Sequence, residues 1–393
     1  METYEKKQGY WVDLKQSFRR CKRGFSIVLS LLAVFLITVQ ISNFFRKTPT
    51  KFDSKMLDQC MEYINKEMDR ILLLETRTKQ NKEFRNLKTD LPLKPVRMSL
   101  TTAVFVYTHT STPVVLKRII WNKKNGLNED ETCTIFKGKS KYLVNALMST
   151  RTTRLINSPE DSDTKEKQTL IWIFFEFMDI KINDDHVGGD ERVIRKILRD
   201  ALKGLKYMHD HNYAHLDIKI ANIMGSTNSK GEIIYKLIDF GYTQHFSEKM
   251  AVIPKKNYGT YPFKAPEVIK KSIHGTKSDI WALGATAWYL SLSNILFYDE
   301  DGNKDDSAYA EFINYGRKKY KGNNKHRFTF RKETSPELRH FITTTMDLDW
   351  KARPTVDQLL RHPFIQGKKL TNTLTDSYSV YESTDSGYSS DTQ

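Results

Sequence analysis

Four side chains that can handle phosphate chemistry lie close together along the second half of the chain. Asp217, Lys219 and Asn222 fall within one short segment, and Asp239 follows in an Asp-Phe-Gly turn. Carboxylate and amide oxygens are ligands that Mg²⁺ prefers. A second carboxylate can accept the proton of an attacking hydroxyl, and a lysine can offset the charge of a transferring phosphoryl group. These residue types therefore indicate phosphoryl transfer.

Two blocks of different secondary structure must position these side chains. The β-rich runs 104–107 and 114–120 predict a hairpin, and the apolar run 170–178 predicts a buried strand. Beyond a junction at 179–190, apolar residues recur at helical spacing to about Ile365. The pattern predicts an α+β fold in which a small strand-rich block precedes a larger helical one.

The motifs, taken in order, resemble those of eukaryotic protein kinases of the serine/threonine type. The resemblance covers the chain from about Leu93 to Ile365, and it implies a bilobal kinase fold over residues 91–366. The N-lobe would span about 91–178 and the C-lobe about 179–366. The motifs that carry it are His215-Leu216-Asp217-Ile218-Lys219-Ile220-Ala221-Asn222, Asp239-Phe240-Gly241 and Ala265-Pro266-Glu267.

The family pattern implies a role for each of the four chemical side chains, with ATP and Mg²⁺ as cofactors. Asp217 would be the catalytic base, and Lys219 would lie near the γ-phosphate. Asn222 and Asp239 would be the magnesium ligands. Lys219 and the segment 259–263 resemble serine/threonine kinases more than tyrosine kinases, so protein serine and threonine hydroxyls are the expected substrates.

Other positions would hold the nucleotide or support the site. Lys117 resembles the strand lysine that binds the α- and β-phosphates. The Glu176 carbonyl and the Met178 amide would hydrogen-bond adenine. Arg353 is expected to pair with Glu267 as an architectural contact.

The chain departs from the family pattern at the phosphate lid. No glycine occurs between residues 25 and 125, and residues 97–103 stand where a glycine-rich loop is expected before Lys117. Glycine normally lets backbone amides approach phosphates closely. Ser99, Thr101 and Thr102 could instead hold a looser lid. The alternative function is therefore a pseudokinase that acts as an interaction scaffold.

Two further positions differ from many kinases. The helix that normally supplies a glutamate to the strand lysine is indistinct, and Glu131 is the predicted partner of Lys117. Leu216 replaces an arginine that holds an activation-loop phosphate, and leucine cannot pair with phosphate. Activity is therefore expected not to require phosphorylation within 242–264.

The N-terminal region predicts attachment to a lipid bilayer. The uncharged apolar run 24–45 would span about 33 Å as a helix, close to the hydrocarbon thickness of a membrane. A basic segment, 1–23, precedes it, and an amphipathic helical linker is predicted within 46–90. The net charge is +16, but no nucleic-acid recognition motif occurs, and the basic residues near the apolar run are assigned to anionic lipid headgroups. The kinase domain is expected on the cytosolic side.

The tail 367–393 is rich in Ser, Thr and Asp and is predicted to be disordered. Its segment Asp385-Ser386-Gly387-Tyr388-Ser389-Ser390 resembles the phosphodegron that ubiquitin-ligase adaptors read. The alternative is a plain solvated tail.

Overall fold

The structure is a computed structural model. It describes residues 54–74, 76–110, 112–121, 129–157, 165–183, 187, 189–248, 250–253, 258–292, 328 and 330–370. The predicted basic segment, the membrane segment 24–45 and the phosphodegron-like segment lie outside these residues. None of the helices in the described ranges combines the length and apolarity that a bilayer span requires.

Two helices open the described chain, and from Leu93 onward a strand-rich block precedes a mainly helical one, as the sequence predicts. The helices are α1 (Ser54–Leu72), α2 (Arg77–Arg85), α3 (Glu129–Phe136), α4 (Glu191–Asp210), α5 (Pro266–Lys271), α6 (Thr276–Leu292), α7 (Pro336–Thr345), α8 (Val356–Leu360) and α9 (Pro363–Gln366). The strands are β1 (Leu93–Met98), β2 (Thr102–Tyr107), β3 (Val114–Trp121), β4 (Ala146–Asn157), β5 (Lys165–Glu176), β6 (Ile180–Lys181), β7 (Tyr213–Ala214), β8 (Ile223–Thr227), β9 (Ile233–Leu237), β10 (Gln244–His245), β11 (Met250–Val252) and β12 (Ile273–Gly275). The predicted α+β architecture is confirmed.

The strand-rich block is a five-stranded sheet with the order β1-β2-β3-β5-β4. The predicted hairpin corresponds to β2 and β3, and the predicted buried strand corresponds to β5. Its residues 170–175 are buried because this stretch is apolar on both faces. The sheet therefore presents Lys117 of β3 from its centre.

The helical block packs around α4 and α6. Asp190 caps α4 by accepting a hydrogen bond from the Arg192 amide, and one face of α4 fills the core. Beyond its polar first turn, helix α6 has apolar or small residues on all sides, and it is almost entirely buried. A Cβ at Gly284 would clash with Thr345 of α7, so only glycine permits this close helix contact. The expected ion pair between Glu267 and Arg353 is present within this block.

The small sheet β6-β8-β9 connects the two chemical segments. Strands β8 and β9 are antiparallel, with Ile223 opposite Leu237. The Ile238 amide donates to the Asn222 carbonyl oxygen over 3.0 Å. Residues that are distant in sequence thus meet at one end of this hairpin.

The described chain divides into two compact units, one of which contains α1 and α2. The predicted amphipathic helix is α1, and Leu57, Cys60, Ile64, Met68 and Ile71 form its buried stripe. The side-chain Nε2 of Gln80 in α2 donates to the carbonyl oxygens of Leu72, the last residue of α1, and of Leu74 just after it. The apolar face of the predicted linker helix is therefore buried.

Candidate active site

Lys117 lies at the centre of the site, between two carboxylates. Its Nζ is 2.7 Å from Glu129 Oε1 and 2.8 Å from Asp239 Oδ1. Burial lowers the pKa of Lys117, but the nearby Asp239 and Glu129 outweigh it and raise that pKa above its ordinary value. The charge of Lys117 in turn lowers the pKa of Asp239. The lysine therefore stays protonated and Asp239 stays ionised.

The prediction that Glu131 pairs with Lys117 is wrong. Glu131 is 56% exposed, and its carboxylate is 3.0 Å from Arg151, whereas Glu129 is buried against Lys117. Helix α3 begins at Glu129, so its first residue faces the site and Glu131, two positions later, points elsewhere. The sequence spacing did not show where this helix starts.

Asp217 is held from three directions. Its Oδ2 accepts from Lys219 Nζ over 2.8 Å and from Asn222 Nδ2 over 2.9 Å. Its Oδ1 accepts from the Thr260 hydroxyl over 2.7 Å, and Lys219 also donates to that hydroxyl oxygen. These contacts fix the orientation of a carboxylate that can accept a proton.

Asn222 and Asp239 can supply oxygen ligands to a divalent cation. The Asn222 Nδ2 group donates to both the backbone oxygen and Oδ2 of Asp217, so its amide oxygen is the atom that it can offer to a metal. Asp239 directly follows Ile238, whose amide is hydrogen-bonded to the Asn222 carbonyl oxygen. Asp239 has a left-handed backbone conformation, with φ of 66°, and begins the Asp-Phe-Gly turn. The donor set fits Mg²⁺.

Buried side chains support this constellation from behind. Phe240 packs edge-to-face on Phe136 of α3 and on His215, with ring centroids 5.5 and 5.8 Å apart. Asp279 accepts hydrogen bonds from the amides of His215 and Leu216, each over 2.8 Å. The second of these holds Leu216 at its positive φ of 64°.

The predicted adenine-binding segment follows the end of β5. The Glu176 carboxylate accepts two hydrogen bonds from Lys236 Nζ, each over 2.7 Å, and one from the Asn145 amide. Its side chain therefore ties β5 to β9. The Met178 side chain is buried two residues later. The backbone groups of both residues remain the predicted adenine contacts.

The lid is a tight turn between β1 and β2. The Ser99 amide donates to the Thr102 carbonyl oxygen over 2.6 Å. The Ser99 hydroxyl oxygen accepts from the amides of Thr101 and Thr102 over 3.3 and 3.0 Å. The turn is thus closed by its own side chain in place of glycine.

Three contributors to the site were missed by sequence reasoning. Glu131 was predicted in place of Glu129, and Thr260 contributed only to the prediction of substrate class. Lys236, which binds Glu176, carries no motif at all. A signal existed for Thr260 alone, because it belongs to a segment that already resembled the family.

Leu216 lies in a small apolar cluster where a phosphate-binding arginine would otherwise stand. Its buried neighbours are Ala214, Phe246 and Tyr258. Apolar contacts thus connect this position to the segment that follows Asp-Phe-Gly.

We expect phosphatase-treated protein to keep its phosphoryl-transfer rate within about twofold of untreated protein, because no guanidinium at position 216 binds phosphate. A phosphate-release time course with parallel rate measurements tests this; a rate that falls with phosphate loss would contradict it.

The fold, together with the side chains of Lys117, Asp217, Asn222 and Asp239, defines a phosphoryl-transfer site. A family model of the protein kinase domain matches residues 104–365. The chain therefore belongs to the protein kinase domain family.

Curated relatives agree with this assignment. The probable serine/threonine-protein kinase mkcD of Dictyostelium discoideum is 32% identical over 50% of this chain and 28% of its own length. Mitogen-activated protein kinase kinase kinase 1a of Physcomitrium patens is 33% identical over 46% of this chain and 22% of its own. The kinase ANP1 of Arabidopsis thaliana, also named a mitogen-activated protein kinase kinase kinase, is 32% identical over 48% and 26%. The matches thus cover less than a third of each relative.

Proposed function

We propose that the chain is a protein serine/threonine kinase that transfers the γ-phosphate of ATP to protein hydroxyl groups. The observation that carries the proposal is the Asp217 carboxylate, which Lys219 and Thr260 hold in one orientation. A carboxylate fixed in this way can accept the proton of an incoming serine or threonine hydroxyl. The names of the relatives support the serine/threonine class.

Each remaining side chain has a role that its position allows. Lys117, kept protonated by its two carboxylates, would bind the α- and β-phosphates. Asn222 and Asp239 would hold Mg²⁺ through oxygen atoms. When bound, ATP supplies the phosphoryl group, and Mg²⁺ offsets the negative charge of the phosphates. Lys219 would offset negative charge near the γ-phosphate, and the backbone groups of Glu176 and Met178 would bind adenine.

The experiment is transfer of labelled phosphate to a panel of basic and acidic proteins by the full-length chain. Asp217→Asn is expected to lower the rate by about 1000-fold, because a base contributes about 10²- to 10⁴-fold. Lys117→Met is expected to lower it comparably. Asp357→Asn, on the surface, is the matched control and should leave it unchanged. Equal rates in wild type, Asp217→Asn and Lys117→Met would contradict the proposal.

Ligand-dependent melting separates the kinase from the pseudokinase alternative. A ligand that binds only the native state raises its melting temperature. Millimolar Mg·ATP should therefore stabilise the wild-type chain. No shift, together with no transfer, would favour the scaffold. The complete set of Lys117, Glu129, Asp217, Asn222 and Asp239 supports the enzyme.

We further propose that residues 24–45 tether this kinase to a membrane, with the kinase domain on the cytosolic side. The length and apolarity of that run support the proposal. Once phosphorylated, the segment 385–390 would bind a ubiquitin-ligase adaptor, because it resembles a phosphodegron. Sedimentation of the chain with vesicles, with and without residues 24–45, tests the tether; equal sedimentation would contradict it.

A further inference from the structure

Three backbone amides of the lid are already engaged and are poorly placed to bind a phosphate. The amides of Ser99, Thr101 and Thr102 are all hydrogen-bonded within the turn itself. An amide that already donates to a hydroxyl or carbonyl oxygen cannot also donate well to phosphate. A kinase with this turn needs another source of positive potential above the phosphates.

The strand register places one basic side chain beside Lys117. Because Ser99 pairs with Thr102 across the turn, Arg97 of β1 stands opposite Val104 of β2. The Ile120 amide donates to the Thr101 carbonyl oxygen over 2.7 Å, which brings Val104 opposite Lys117 of β3. Neighbouring strands are about 4.8 Å apart, so the Cα atoms of Arg97 and Lys117 are roughly 10 Å apart on one face.

Burial confirms which face this is. The alternate residues Met98, Ala103, Phe105 and Leu116 are buried on the opposite face. Val104 and Lys117 are only partly buried, and Arg97 is exposed. The face that carries Arg97 is therefore the face that presents Lys117 to Asp239.

Electrostatic effects agree with this placement. Lys117 is the main cause of the lowered pKa of Asp239, and Arg97 contributes in the same direction. Burial raises the pKa of Tyr242, and the charge of Arg97 opposes that rise. Arg97 thus projects its charge onto the Asp-Phe-Gly turn from the strand that precedes the lid.

We propose that Arg97 is a phosphate-binding residue that substitutes for the missing glycine-rich amides. This inference rests on the proposed kinase function. Lys117 is shared between Glu129 and Asp239, whereas Arg97 is exposed on the same face and can approach a ligand with a planar set of donors. A guanidinium suits phosphate because it donates two parallel hydrogen bonds. The ligand class is therefore a nucleoside di- or triphosphate.

The test is the affinity of the full-length chain for ATP, ADP and adenosine, measured by calorimetry. Arg97→Ala should raise the Kd for ATP and ADP by about tenfold, since a hydrogen bond to a charged group has roughly that effect. The Kd for adenosine should change less than about twofold. Arg97→Lys, which keeps the charge but loses the fork, should fall between the two.

Lys94→Ala is the matched control. It removes one positive charge from the same strand, at an exposed position three residues, and so about 10 Å, farther from the turn. Its ATP affinity should equal that of wild type. Unchanged ATP binding in Arg97→Ala, equal losses for ATP and adenosine, or an equal loss in Lys94→Ala would overturn the assignment. Wild-type protein that binds no ATP at all would instead contradict the proposed function.

Discussion

Glu129→Gln is expected to lower phosphoryl transfer by about 100-fold. The substitution removes the charge that holds Lys117 from the α3 side, and it leaves Asp239 as the one carboxylate on Lys117 among the described contacts. Lys117 would then pair more closely with Asp239, a proposed metal ligand. Loss of one preorganised charge contact in an active site commonly has an effect of this order. Steady-state rates at saturating and limiting ATP measure it.

Glu131→Gln is the matched control, because it makes the same chemical change two residues away. Glu131 is exposed and pairs with Arg151, so its loss should change the rate by less than about twofold. Melting temperatures of both variants separate a catalytic effect from unfolding. If Glu131→Gln were the damaging variant and Glu129→Gln the neutral one, the assignment of the Lys117 partner would be wrong.

This pair of residues also shows where sequence reasoning ends. Asp217, Lys219 and Asn222 lie within one segment, so their proximity follows from short-range spacing and a known motif. The partner of Lys117 depends instead on the residue at which α3 begins and on the rotation of that helix. Both are set by tertiary packing, and two glutamates so close in sequence cannot be separated by pattern alone.

Strand β4 was missed for a related reason. The middle of this strand, including Arg151, Thr152 and Thr153, is exposed. Its strand structure comes from backbone pairing with β5, where Thr152 stands opposite Leu170. Pairing of this kind needs no run of apolar or β-branched side chains, and such runs were the signal used to predict strands. Strand β5 contains most of the apolar run 170–178 and was predicted.

The lid illustrates the same limit at finer scale. The absence of glycine was visible in the sequence, and it raised the pseudokinase alternative. Only the folded structure shows that the Ser99 hydroxyl oxygen accepts from two amides of the turn. It also shows the strand register that brings Arg97 onto the face of Lys117. A missing motif can thus be read from sequence, whereas its replacement depends on pairing between strands.

Arg353→Met is expected to lower the free energy of unfolding by about 3–5 kcal/mol. Arg353 Nη1 and Nη2 bind the two Glu267 oxygens over 2.7 and 2.8 Å, and both side chains are almost fully buried. The same guanidinium donates to the carbonyl oxygens of Asp347 and Lys277 and lies over the ring of Trp281. Removing it leaves a buried carboxylate without its partner, which is the costly way to break such a pair.

The exposed pair of Arg192 with Asp190 provides a matched comparison. It also joins a guanidinium to a carboxylate at 2.8 Å, but the Arg192 side chain is 85% exposed. Arg192→Met should therefore cost less than about 1 kcal/mol. The double variant Glu267→Leu with Arg353→Met should recover part of the loss, because no buried charge is then unpaired. Urea unfolding followed by tryptophan fluorescence measures all of these. Equal costs for Arg353→Met and Arg192→Met would show that the buried pair does not stabilise the helical block.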